Sequence, residues 1–180
     1  MAVEHIPGEL IFKEYPTKSA STRTISTHLE KLKQKGITPD MIIVDYADLL
    51  KPTASGFKTQ ELRHSLGNIY EELRAIGQVW DIPVWTASQA NREASNASVV
   101  GLENMSEAYG KAMVADVVLS LSRKPMEKAT GSGRLFVAKN RAGRDGLVFP
   151  VHIDTAKSTI EILDEKHLTL NEAVKQDEAS

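Results

Sequence analysis

The 180 residues contain no cysteine, which excludes disulfide scaffolds, thiolate zinc sites and cysteine nucleophiles. No apolar run approaches the roughly 18 residues that a membrane-spanning helix needs, so no membrane partner is expected. The opening stretch MAVEHIPGEL lacks the basic-then-apolar pattern of a secretory leader, because Glu4 and His5 interrupt it. A cytoplasmic location is the expectation. There is no large excess of charge of either sign: 22 Lys and Arg stand against 24 Asp and Glu, a formal net charge of -2. That argues against a protein that coats nucleic acid, but leaves room for a local basic patch.

What is present is the balance of an ordinary globular chain, with 41% hydrophobic and 26% charged residues. One domain of this length buries roughly two-thirds of the surface its unfolded chain exposes. Short apolar runs at 10–12, 41–44, 83–86, 117–121, 135–138, 147–149 and 159–162 read as strands. A helix is expected over 22–35, with Ser21 or Thr22 as N-cap and Gly36 at its stop. Leu62, Leu66, Ile69, Leu73, Ile76 and Trp80 recur every three or four residues, which predicts a second, longer helix lying on a sheet. A third, shorter one is expected near 104–113. This alternation implies an α/β fold with a mostly parallel sheet flanked by helices. The runs at 41–45 and 83–87 are almost unbroken apolar, as in strands buried on both faces. The last three runs, separated by short turns, read as an appended β-meander. Residues 164–180 read as an acidic tail.

In a parallel α/β sheet, ligands bind beyond the carboxyl ends of the strands. Asp45 follows Ile42-Ile43-Val44 there. Such a carboxylate can hold Mg²⁺, as in a Walker B segment, or can merely cap a turn. Gln89 follows the strand ending at Ala87; its amide can donate to a phosphate oxygen, orient a water, or serve only the turn. Lys139 and Arg141 are two apart, so on a continuing strand they share a side. They suit a phosphate or carboxylate partner, or belong to a solvated hairpin. Between Arg123 and Arg144, seven basic residues stand against the single acid Glu127.

IIVDYADLL, a long amphipathic helix, PVWTASQANR, ADVVLSLSR and FVAKNRAGRDG, in this order, resemble the second half of the RecA-like ATPase domain of hexameric DnaB-type replicative DNA helicases, in their phage flavour. The upstream LIFKEYPTKSASTRTISTHLEKL fits as the strand and helix before Walker B. The resemblance implies an ATP- and Mg²⁺-dependent motor domain over 1–163. It makes Asp45 the Walker B carboxylate and Gln89 the γ-phosphate sensor. Arg141 becomes an arginine finger reaching a neighbouring subunit's ATP, with Lys139 beside it. It makes Lys51, Lys58 and Arg92 contacts to single-stranded DNA on channel-facing loops, whose only aromatic is Phe57. Phosphate contacts should therefore dominate.

The sequence holds no G-x-x-x-x-G-K-[ST], the segment whose backbone and Lys cradle the β- and γ-phosphates. The expected fold therefore lacks the P-loop strand, which in the family is central in the sheet. Its absence should leave two strand edges unpaired, force a rearranged sheet, or require another chain. By resemblance, the partners are other helicase subunits or a P-loop-bearing N-terminal half, and the isolated chain is expected to be inactive as an ATPase. Two other readings are open: a non-catalytic module that binds DNA or a helicase ring, and a fragment of another RecA-like ATPase.

Overall fold

A computed structural model describes residues 8–52, 59–90, 97, 99–102, 109–163, 168–169 and 172. Helix α1 (Thr22–Gln34) starts where its cap chemistry dictates. The Ser21 hydroxyl accepts the Thr24 N–H, and the Thr24 hydroxyl accepts the Ser21 N–H, which satisfies two orphan donors reciprocally. Lys31 and Lys33 occupy the last turn, favourable at the negative end of the helix dipole. The Lys35 N–H returns to the Leu32 carbonyl, and Gly36, at φ +79°, lets the chain turn away.

Helix α2 (Thr59–Trp80) lays Ile69, Leu73 and Ile76 against Leu29 of α1 and Ile42 of strand β1 (Ile42–Val44), enclosing Ala47. This is the larger of the two buried clusters among the described residues. β1 pairs in parallel with β2 (Val84–Thr86), with Ile42 opposite Val84, Ile43 opposite Trp85 and Val44 opposite Thr86.

Helix α3 (Tyr109–Val114) leads into a second, antiparallel sheet. Strands β3 (Val117–Ser122), β4 (Ser132–Asn140), β5 (Leu147–Asp154) and β6 (Thr159–Ile162) follow as a meander, and β7 (Leu168–Thr169) pairs with the start of β5. Its core joins Phe136 and Val148, packed by Val99, Ala138 and Leu168. The turn into β4 needs Gly131: it has φ +72°, and a Cβ there would sit 2.5 Å from the His152 ring.

The α/β class and the C-terminal meander agree with the sequence, but three expectations change. The parallel strands are covered on one face only. Both helices lie over Ile42 and Val84, while Ile43 is 71% and Trp85 48% exposed. The apolar runs ask for two covers, and the described residues supply one. Second, the sheet is in two pieces: β2 pairs only with β1 and β3 only with β4 among the described residues. Third, residues 10–12 form no strand. A turn closed by the Ser19 N–H on the Pro16 carbonyl redirects the chain into α1, leaving Leu10 and Phe12 exposed. Leu168 and Thr169 add a pairing within the stretch read as a tail. Among the described residues, no helix is long and apolar enough to cross a membrane.

Candidate functional site

Because β1 and β2 are parallel neighbours, their carboxyl ends share one rim. Thr86 stitches that rim: its hydroxyl donates to the Val44 carbonyl and accepts the Ala47 N–H, each at 2.9 Å. Asp45 stands one residue beyond Val44, exposed, and its carboxylate has no hydrogen bond or ion pair among the described residues. The Asp45–Tyr46 peptide is cis. Gln89, three residues beyond Thr86, donates from Nε2 to the Tyr46 hydroxyl at 3.1 Å. The structure thus brings Asp45 and Gln89 to adjacent tips, joined through Tyr46.

Behind the rim lies a polar cluster that the sequence reading did not single out. Asp48 Oδ1 accepts from Lys111 Nζ at 2.6 Å and from the Tyr70 hydroxyl at 2.9 Å, while Oδ2 accepts from the Ser88 hydroxyl at 3.1 Å. Lys111 is only 5% exposed, a position a cation holds when it is paired. Its ammonium also lies 5.3 Å from the centre of the Tyr70 ring, a cation–π contact, and 3.3 Å from Ser88 Oγ. Burial pushes the Tyr70 phenol well above its ordinary range. Ser88 pulls the other way, and the Asp48 charge and hydrogen bond push it up further. The cluster ties the chain after Asp45 to the residue before Gln89, using one side chain each from α2 and α3.

Lys139 and Arg141 form a second group. Lys139 Nζ donates to the Ala112 and Met113 carbonyls at 2.8 and 3.0 Å, closing the carboxyl end of α3. Arg141, already past the end of β4, pairs with Asp116 at 2.6 Å, and its N–H donates to the Asp116 carbonyl. Arg74 of α2 takes the other Asp116 oxygen at 2.9 Å and the Val114 carbonyl at 2.6 Å. No hydrogen bond or ion pair among the described residues joins Asp45 or Gln89 to Lys139 or Arg141. Helix α2 spans the two groups instead, since Tyr70 and Arg74 are one turn apart, about 6 Å along the axis.

Of the expected DNA contacts, Lys51 is exposed beside the rim, and its N–H donates to the Ala20 carbonyl at 2.7 Å. Lys58 and Arg92 lie outside the described residues. Asp48 had a visible signal, as the second acid of Asp-Tyr-Ala-Asp. Lys111 had none nearby: its partner is 63 positions away.

Among the described residues no three His, Asp or Glu side chains gather as a metal site. The free Asp45 carboxylate is a fit for one side of a Mg²⁺ shared with phosphate oxygens, which is how that ion is commonly held. The sequence provides no phosphate cradle of the G-x-x-x-x-G-K-[ST] kind to complete it.

Residues 8–158 match the family model described as the DnaB-like helicase C terminal domain. Over 115 residues the chain is 33% identical to the DnaB-like replicative helicase of Enterobacteria phage T4, covering 63% of this chain and 24% of that protein. Among solved structures, one described as an ATPase domain superposes with a TM-score of 0.69 at 20% identity, over 81% of this chain and 52% of that one. A DnaB-like replicative helicase, described with its interactions with primase, also superposes at 0.69 with 19% identity, covering 81% of this chain and 35% of its own length. These two likenesses show the fold, which is RecA-like. The chain spans about a quarter of the T4 relative and about half of the solved ATPase domain.

Proposed function

The chain belongs to the DnaB-like helicase C-terminal domain family, and we propose that it supplies the second half of a helicase motor site to a segment that carries the phosphate cradle. Asp45 takes the metal-facing side of a Mg²⁺–ATP complex. Gln89, next to it on the rim, reports the state of the terminal phosphate through Tyr46 to the loops beyond both strands. Arg141 acts on the nucleotide of a neighbouring subunit, with Lys139 behind it. ATP brings the bond to be broken. The chain's own part is to place a carboxylate, an amide and a guanidinium where charge changes during phosphoryl transfer.

The observation that carries this reading is the shared rim: a free carboxylate and an amide on adjacent parallel strand tips, within a family match over residues 8–158. Two further features support it. The uncovered face of β1 and β2 and the separation of β2 from β3 are what a RecA-like sheet leaves when one strand and its helix come from elsewhere. The position of Arg141 away from Asp45 suits a group that acts across a subunit boundary. Its partner Asp116 is exposed, so exchange for a phosphate costs little.

The test mixes this chain with a polypeptide carrying the P-loop half and measures DNA-stimulated ATP hydrolysis. The mixture should hydrolyse ATP, Asp45→Asn and Arg141→Ala should each remove at least about 100-fold of the rate, and Trp85 emission should shift to the blue as its face is covered. A mixture that binds but never hydrolyses favours the second reading, a non-catalytic module docking on DNA or a helicase ring.

A further inference from the structure

A groove of about 640 Å³ runs along α1, on the side of the helix away from its buried face. Four basic side chains line it: Lys13 from the preceding segment, and Arg23, His28 and Lys31 from the helix. None of the four makes an ion pair with a carboxylate among the described residues, and no carboxylate lines the groove, although Glu14 and Glu30 are close in sequence. The rest of the lining is mostly hydroxyl, such as Thr27, with the ring of Tyr15 alongside. Lys13 holds its ammonium 5.6 Å from the centre of that ring. A chain with a net charge of -2 has thus gathered three cations, Lys13, Arg23 and Lys31, without a bonded carboxylate among the described residues along one side of α1.

Arg23, Thr27 and Lys31 follow one another at four-residue spacing, so they form a row. The row is about 12 Å long at 1.5 Å per residue. The opposite side of α1 packs Leu29 into the main core, which holds the row straight. A rigid track of alternating cations and hydroxyls of this length suits several successive anionic groups better than one small anion. The aromatic ring beside it offers a stacking surface that an acidic peptide would not use.

The segment just before α1 is bonded to the loop after Asp45, through the Lys18 N–H on the Leu49 carbonyl at 3.1 Å and the Lys51 N–H on the Ala20 carbonyl at 2.7 Å. We infer that the Lys13–Arg23–His28–Lys31 groove is a binding track for the phosphate backbone of single-stranded nucleic acid, on the helix whose preceding segment is bonded to Lys51. This deepens the proposed function by adding a nucleic-acid surface away from the loops beyond the strands, and it rests on that reading only for its biological use.

The experiment is fluorescence anisotropy of a labelled thymidine oligonucleotide of about 20 nucleotides, titrated with the full chain between about 50 and 200 mM salt. Arg23→Ala/Lys31→Ala should weaken binding about tenfold or more. It should also lower the slope of log affinity against log salt by about 1.4, from about 0.7 per cation removed on a single strand. Both side chains are exposed, and unchanged circular-dichroism melts confirm folding. If that variant binds with unaltered affinity and slope while Lys51→Ala weakens binding, the groove is wrong and the rim reading stands. If the wild-type chain binds no oligonucleotide, the groove is wrong whatever the reconstituted ATPase does. If a labelled polyglutamate of equal length binds as tightly as the oligonucleotide, the surface is a docking site for an acidic protein segment, and the nucleic-acid assignment is overturned.

Discussion

Strands β1 and β2 have three residues each, while β4 has nine and β5 eight. The short pair owes its position to helices: Ile42 is held by Leu29, Ile69, Leu73 and Ile76, and the pair exchanges only three residues of ladder. The meander relies more on its long ladders; among the described residues its buried cluster joins Phe136 and Val148, with Val118 and Val151 buried beside them along the strands. The difference follows function. Parallel strands anchored by a buried helix face can end abruptly in polar tips, and those tips carry Asp45 and Gln89. The long antiparallel strands run on into turns, and theirs carry Lys139 and Arg141. Each half of the molecule therefore presents one half of the candidate chemistry, and Arg74 and Lys111 are the side chains that connect them.

Core truncations test that contrast most strongly. Ile69→Ala should cost on the order of 2–5 kcal/mol, the range for a large-to-small change in a packed core, and Val148→Ala about 1–3 kcal/mol. Urea unfolding can be followed by tryptophan fluorescence and by far-ultraviolet circular dichroism. Both tryptophans, Trp80 and Trp85, report the helix-held half, while circular dichroism reports both. Coincident transitions are expected for each variant, because the Arg74–Asp116 and Lys111–Asp48 pairs join the halves. A Val148→Ala transition that moves in circular dichroism but not in fluorescence would break the molecule into two independent units.

Lys111→Met comes next. Removing one partner of a buried ion pair costs about 3–5 kcal/mol. Here about 2–4 kcal/mol is expected, because Asp48 keeps its bonds from Tyr70 and Ser88. In a double-mutant cycle with Asp48→Asn, the two losses should fall short of additivity by about 1 kcal/mol or more. Strict additivity would show that the pair does not connect the halves.

Much of this architecture was legible and some was not, for reasons that divide by range. The cap at Ser21, the stripe through Ile69, Leu73 and Ile76, and the meander of β3 to β6 are local patterns, and the structure contains them. The tips Asp45 and Gln89 could be named because Asp45 directly follows an apolar run and Gln89 comes within two residues of the end of another. What escaped depends on partners far along the chain or outside it. Nothing near Gly110-Lys111 signals an ion pair to Asp48. The apolar run through Ile43 states that a second face wants cover without stating what covers it. Lys139 and Arg141 do meet at the end of α3, but the strand stops at Asn140, so their shared location comes from α3 and Asp116 and not from strand alternation.

A smaller effect separates Tyr70 from the core it borders. Its phenol is raised above the ordinary value near 10, first by burial. A raised pKa in the folded state means that the neutral form is favoured there. This contribution is fully present below about pH 10 and is lost as the pH rises through the alkaline range. Urea midpoints should therefore fall more steeply in alkali for the wild type than for Tyr70→Phe. At neutral pH that variant should lose about 1–2 kcal/mol with the hydrogen bond to Asp48. Equal alkaline slopes would remove Tyr70 from the account.

The least stability is expected to ride on Arg141, and that is the sharpest use of the comparison. Its pair with Asp116 is about half exposed on both sides, at 51% and 55%, where solvent screening leaves roughly 0–1 kcal/mol. Asp116 also keeps Arg74 when Arg141 is gone. Arg141→Ala should therefore leave the urea midpoint within about 0.5 kcal/mol of wild type, in contrast to Lys111→Met, whose ammonium is sealed in. A cation held this loosely can exchange one anion for another, while one buried like Lys111 cannot. If Arg141→Ala instead destabilises the chain as much as Lys111→Met does, Arg141 is a structural strut of the meander, and its role toward a neighbouring nucleotide loses its physical basis.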